Sequence, residues 1–189
     1  KVLVLKKDIT DLTAPADIIA ATQNEFGRID ILINNAGSSI RKRPEDLTSE
    51  DFRWVLETNL TSAFLCSQSV YPLLKKAGGG KIINIGSMYS LFGAPAVTAY
   101  AVSKGGLVQM TKSLATAWAQ DRIQVNAILP GWIDTELTQN AREQIDGLYE
   151  RQLARIPDGR WGTPEDHEGI AIFLASSASN YITGTAIPV

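Results

Sequence analysis

Three residues in the middle of this 189-residue chain carry side chains suited to moving a proton. Ser87, Tyr100 and Lys104 offer a hydroxyl, a phenol and an ammonium, and the last two are four residues apart. On a helix that spacing puts them on one face, a turn apart. A free phenol titrates near 10, so ionising it at neutral pH costs about 4 kcal/mol. A nearby ammonium supplies part of that by favouring the phenolate, and a serine hydroxyl can hold an oxygen on which charge develops. The chemistry is proton transfer beside an alcohol or a polarised carbonyl. Taken alone, a Tyr and a Lys at this spacing equally describe a packed aromatic and a solvated charge.

The surrounding pattern predicts elements that would bring the three together. Ile82 to Ile85 reads as a buried strand, Gly86-Ser87 opens a loop, and a helix runs from about Tyr100 to Ala119. Ser87 then sits just past a strand's carboxyl end, where open α/β sheets place their ligands. Short apolar runs at Val2 to Leu5, Ile29 to Ile33 and Ile123 to Leu129 suit further buried parallel strands. Between them, Thr13 is a candidate cap for a helix to Phe26 that Gly27 closes. Thr48 to Asp51 resembles a capping box opening a long helix past Asn59 and Pro72, and Thr163-Pro164-Glu165-Asp166 opens another. Gly78-Gly79-Gly80 precedes a strand and lacks a P-loop ending, so it reads as a helix stop.

Composition narrows the function classes. A formal net charge of −2 without a basic stripe gives nucleic acid no footprint, and no apolar run is long enough to span a membrane. The single Cys66 excludes an intrachain disulfide and favours a reducing, cytoplasmic setting. The lone His167 has no partner ligands around it in sequence, so it reads as a surface residue or one behind the site, and no metal is expected.

Ser87 thirteen residues before Tyr100-x-x-x-Lys104, with Asn34-Asn35-Ala36-Gly37, Asn59 and Pro130-Gly131, resembles the short-chain dehydrogenase/reductase family over essentially the whole chain. The resemblance implies a doubly wound, Rossmann-like α/β fold with a parallel sheet, one dehydrogenase domain over 1–189, and a substrate lid in 131–160. It implies interconversion of a secondary alcohol and a ketone, on a sugar acid or polyol, with NAD or NADP as cofactor, Tyr100 as general base or acid, and Ser87 holding the reacting oxygen. Lys104 would lower the tyrosine pKa and hold the nicotinamide ribose, while Asn59 would hold a helix distortion and serve a proton relay. The same resemblance puts Asp8, Ile9, Asn35, Ala36, Gly37, Pro130, Gly131, Ile133 and Thr135 against the cofactor, with Asp8 at the adenine and Thr135 at the carboxamide. Read without it, Asp8 is a turn aspartate bonding its own backbone.

The basic cluster Arg41-Lys42-Arg43 follows the Asn-Ala-Gly turn, as it does in the sugar-acid dehydrogenases that this stretch resembles. A guanidinium suits a carboxylate, so Arg41 or Arg43, with Trp132, is expected at the substrate. The alternatives are a solvated charge run, a 3-oxoacyl thioester reductase, and a non-catalytic fragment or scaffold. A homotetramer is the assembly the resemblance implies. Under it, Lys1 to Leu5 would be a third strand. Two earlier strand–helix units, on the order of 60 residues at about 30 each, and a carboxyl-terminal Asp-Gly-Gly are then expected in a longer protein.

Overall fold

Four parallel strands stand side by side in chain order in the computed structural model, which describes residues 1–189. They are β1 (Ile31–Asn34), β2 (Gly80–Ile85), β3 (Ile123–Leu129) and β4 (Ala186–Pro188). Ile82 is opposite Leu32 on one side and Val125 on the other, and Ala127 is opposite Ala186. The central strands β2 and β3 are buried almost throughout. That is why their sequences are continuous apolar runs and not alternating ones.

Seven helices surround the sheet: α1 (Ala14–Phe26), α2 (Ser49–Leu56), α3 (Ser62–Ala77), α4 (Thr98–Trp118), α5 (Glu136–Gln144), α6 (Leu148–Leu153) and α7 (Glu168–Ala175). Successive strand residues point to opposite faces. Ile82 accordingly joins Ile19, Val70, Leu74 and Leu114 under α1, α3 and α4, whereas Ile83 joins Ile128 and Leu174 under α7. Helices on both faces make the sheet doubly wound.

Capping chemistry placed the helix starts well. Thr48 with Asp51 and Thr163 with Asp166 both form reciprocal capping boxes, and Gly27 closes α1 in the left-handed region, at φ 77°. Other expectations need correction. Thr13 does not cap α1; its N–H and hydroxyl both donate to Asp11, whose carboxylate makes the turn instead. The strand expected at Ile29 begins two residues later, at Ile31.

Val2 to Leu5 is not a strand in this structure, and Val2 and Val4 are 85% exposed. A strand exists only through a neighbour's hydrogen bonds, and this segment pairs with none; Lys1 and Lys7 instead tie it to Glu25 and Asp17 on α1. The long helix is interrupted at 57–61 by a wider π turn between α2 and α3. Such turns concentrate at functional sites.

Candidate active site

The carboxyl ends of β1, β2 and β3 open on one side of the sheet, and three loops there are bound to one another. Gly86 passes so close to β3 that a Cβ would lie 2.4 Å from Leu129 Cδ2. The Ser87 N–H then donates to Ser90 Oγ (3.2 Å), and Ser90 Oγ donates to the Lys104 carbonyl of α4 (2.8 Å). Met88 N–H donates to the Pro130 carbonyl after β3 (3.1 Å). These bonds fold the Ser87 loop back over α4, so Ser87, Tyr100 and Lys104 line one cleft.

Asn59, 1% exposed, sits in the π turn and fastens the third loop. Its Oδ1 accepts from Ser38 N–H (2.8 Å), while its Nδ2 donates to the Ser38 carbonyl (2.8 Å) and to Ser103 Oγ (3.0 Å). Ser103 in turn donates to the Tyr100 carbonyl. Asn59 thus joins the turn after β1 to α4, and a Cβ on Gly37 would come within 3.3 Å of Lys104 Nζ. Beneath it, Asn34 Nδ2 donates to Asn84 Oδ1 (2.8 Å) and Asn84 Nδ2 to Thr111 Oγ1 (2.9 Å). This polar seam pins β1, β2 and α4 in register.

The electrostatics differ from the sequence expectation. Lys104 is 4% exposed and its ammonium donates to the Ile85 carbonyl (2.7 Å); burial draws its pKa down to about 8. It sits 5.7 Å from the centre of the Tyr100 ring. Burial raises the phenol above its ordinary value, the opposing influences being the Ser87 hydroxyl and the Arg41 guanidinium. The reason is burial, the largest influence on the phenol, which disfavours its charged form. Ser87 faces the phenol without a hydrogen bond of good geometry, and its Oγ accepts from Tyr89 N–H (3.2 Å).

Two cavities meet at Ser87 and Tyr100. The first, about 400 Å³, brings together Asn35, Gly37, Lys104, Pro130, Gly131, Ile133 and Thr135, seven of the residues expected at the cofactor. Ala36 lies exposed between two lining residues without lining the cavity itself, and Asp8 and Ile9 lie outside it. The Asp8 carboxylate accepts from the N–H and hydroxyl of Thr10, so it serves its own turn. His167, expected at the surface or behind the site, lines this cavity with a buried Nε2 that has no partner.

The second cavity, about 570 Å³, is walled by Arg41 and Trp132, two of the residues expected at the substrate, but not by Arg43. Arg43 is 71% exposed and paired with Glu45. Sequence reasoning missed Tyr89, Gln152 and Arg155 on the same wall. Tyr89 stands edge-on to both Tyr100 and Trp132, with ring centroids 6.3 Å away in each case. No spacing signal marks these residues; Tyr89 comes from the loop after β2, while Gln152 and Arg155 come from α6 and the turn that ends it.

Comparison with known proteins agrees with this geometry. The family model described as enoyl-(acyl carrier protein) reductase matches residues 1–189. A 2-dehydro-3-deoxy-D-gluconate 5-dehydrogenase of Dickeya dadantii is 43% identical over 188 residues, 99% of this chain and 74% of that protein. A 3-oxoacyl-(acyl-carrier-protein) reductase of Thermotoga maritima is 37% identical over 182 residues, 96% of this chain and 71% of the relative. Among solved structures, a gluconate 5-dehydrogenase from Burkholderia cenocepacia in complex with NADP and tartrate superposes with a TM-score of 0.92. It is 34% identical, with 97% of this chain and 71% of that one covered.

Proposed function

This chain belongs to the short-chain dehydrogenase/reductase family, and from that premise we propose that its cleft interconverts a secondary alcohol and a ketone on a sugar acid, with NAD or NADP as redox partner. The observation that carries the reading is the meeting of two unlike cavities at Ser87 and Tyr100. The one beneath β1 to β3 suits the nicotinamide half of a dinucleotide. Gly37 and Gly131 keep its walls free of side chains, Thr135 and Asn35 offer polar atoms, and Lys104 supplies a cation. A Cβ at Gly37 would press on both Lys104 Nζ and Asn59 Oδ1, so the bare backbone keeps this wall clear. When bound, the cofactor supplies the carbon that accepts or gives up hydride.

The chain's own residues then handle the substrate oxygen and its proton. The Ser87 hydroxyl orients that oxygen toward Tyr100, whose phenolate takes the alcohol proton and whose phenol returns one in the reverse direction. Ser87 and Arg41 act at the phenol to favour the ionised form. Lys104 stands below, where its ammonium holds the ribose side of the cleft, and Asn59 keeps the Gly37 turn, α4 and the π turn in one arrangement. Trp132 and the α5–α6 segment, within 131–160, cover the substrate side as a lid, and Tyr89 completes the wall from the loop after β2.

Sugar acids suit the second cavity because it carries two guanidiniums and no aspartate or glutamate, and because the buried Ser39 hydroxyl lining it has no partner. A polyhydroxylated anion offers both charge and hydroxyls. Apolar surface exposed on α2, α3 and α4, at Trp54, Phe64 and Val102, supports assembly as a homotetramer, and the lone buried Cys66 supports a cytoplasmic setting. The test is a panel of six-carbon sugar acids against acetoacetyl thioesters, each with NAD and NADP and a Tyr100→Phe control. Turnover of the acids that vanishes in the control is the expected result. Reduction of the thioesters with no acid turned over would overturn the substrate class.

A further inference from the structure

We propose that Tyr89 is a positioning residue for the reaction. Its backbone holds Ser87, its ring holds Tyr100, and that ring takes its own place from Trp132, so the lid sets how the two reacting side chains are aligned. The inference rests on the lid and on the roles of Ser87 and Tyr100 proposed above.

Tyr89 is the middle residue of a single 3-10 turn, Met88–Ser90, which the Ser87 side chain caps. The Tyr89 N–H donates to Ser87 Oγ (3.2 Å). That bond takes up a lone pair of the hydroxyl and leaves its proton for the substrate oxygen. The residues on either side of Tyr89 are fastened to two different elements. Met88 N–H donates to the Pro130 carbonyl after β3 (3.1 Å), and Ser90 Oγ donates to the Lys104 carbonyl of α4 (2.8 Å). The Tyr89 ring spans the same two elements. It meets Tyr100 of α4 at 6.3 Å and 83°, and Trp132 after β3 at 6.3 Å and 84°. Ring quadrupoles favour this edge-to-face arrangement, so each contact sets an angle as well as a distance.

Beyond Trp132 the series continues beneath α5 and α6. Trp132 packs at 5.2 Å on buried Trp161, which stacks on Tyr149 of α6 at 5.2 Å and 15°. Arg142 of α5 lies over both of those rings and is tied to Asp134 at 2.6 Å. The Trp132 carbonyl accepts from Gly162 N–H (2.9 Å) and the Gly162 carbonyl from Asp134 N–H (2.8 Å), which fastens the two tryptophan segments together. Five rings, Tyr149, Trp161, Trp132, Tyr89 and Tyr100, thus run unbroken from the lid to the reacting phenol. A shift of α5 and α6 moves Trp132, Tyr89 follows, and the phenol turns relative to Ser87. Misaligning a proton-transferring group costs rate more than binding, because its alignment with the substrate oxygen matters in the transition state.

The experiment is steady-state kinetics with calorimetry on Tyr89→Leu, Trp132→Leu, the double variant, Tyr89→Phe and Trp132→Phe, using the substrate that the wild type turns over fastest. Each leucine variant should lose about three- to tenfold in kcat, the worth of one edge-on contact. Its KM should change by less than about twofold. Tyr89→Phe keeps the ring and should recover most of the loss, and Trp132→Phe, with a smaller ring, part of it. In the double variant the losses should not multiply, because Trp132 acts through Tyr89 and has nothing to act on once that ring is gone. Both residues are half-buried in loops, and melting temperatures should stay within a few degrees of wild type. A leucine variant that melts early is replaced by methionine, which fills the space with more freedom, and is read in the same way. Losses that multiply, a Tyr89→Phe as slow as Tyr89→Leu, or a raised KM at unchanged kcat each overturn the proposal and leave Tyr89 as pocket wall alone. A wild type that oxidises no alcohol and reduces no ketone overturns the proposed reaction itself, before any variant is compared.

Discussion

Replacing Lys104 with Met should leave a protein whose stability no longer climbs between pH 8 and 10. The ammonium is 4% exposed, makes one hydrogen bond, to the Ile85 carbonyl, and its pKa falls from 10.5 to about 8 through burial. At about 1.36 kcal/mol per pKa unit, folding carries a cost of roughly 3 kcal/mol for keeping that charge at neutral pH. In the window between the two values the unfolded chain holds the proton and the folded chain does not. The unfolded state then binds more protons, and stability rises with pH. Wild type should therefore gain about 2 to 3 kcal/mol from pH 8 to 10. Methionine keeps the apolar stem and removes the titration, but strands the Ile85 carbonyl, worth about 1–3 kcal/mol. At pH 7 the variant should thus be as stable as wild type or more stable by up to about 2 kcal/mol, with turnover lost. Urea unfolding of both proteins at pH 7, 8, 9 and 10 measures the difference in slope. Parallel wild-type and Lys104→Met curves would refute the claim that burial is what displaces this lysine.

Tyr100→Phe should retain the wild-type melting temperature within a few degrees and lose about 10²- to 10⁴-fold in kcat, a split that kinetics and calorimetry on one sample can read. Asn59→Ala removes three hydrogen bonds that join Ser38 to Ser103. It should cost about 2–4 kcal/mol at roughly 1 kcal/mol per bond plus unpaired backbone groups, measured by urea unfolding. At the other end of the sheet, buried Lys81 donates to Ser179 and Asn180 with no acid nearby, and burial lowers its pKa. Asn180→Asp supplies the missing charge and should raise stability at pH 7 by about 1 kcal/mol, or some 2–4 °C in Tm; a lower Tm would count against it. Because burial raises the Tyr100 pKa, alcohol oxidation should accelerate as pH rises through the alkaline range, with ketone reduction favoured at lower pH.

Local patterns determined much of this protein before any tertiary structure. Ile82–Ile85 and Ile123–Leu129 read as buried strands because a strand covered on both faces needs apolar residues throughout. Thr48 with Asp51 and Thr163 with Asp166 marked helix starts because a cap is a contact between residues three apart. Ser87, Tyr100 and Lys104 were visible through spacing along one strand, loop and helix. What the sequence left open depended on contacts between distant segments. Val2 to Leu5 has the composition of a strand but pairs with no strand in this structure. Arg41 and Arg43 are indistinguishable in sequence, yet one faces the cavity and the other pairs with Glu45. Arg155 and Tyr89 reach the same wall from loops separated by more than sixty residues. The direction of the Tyr100 shift was also hidden. Spacing fixes that a lysine is one turn away, but burial and the Ile85 carbonyl decide where its charge goes. Desolvation is a property of the packed whole, and no local pattern encodes it.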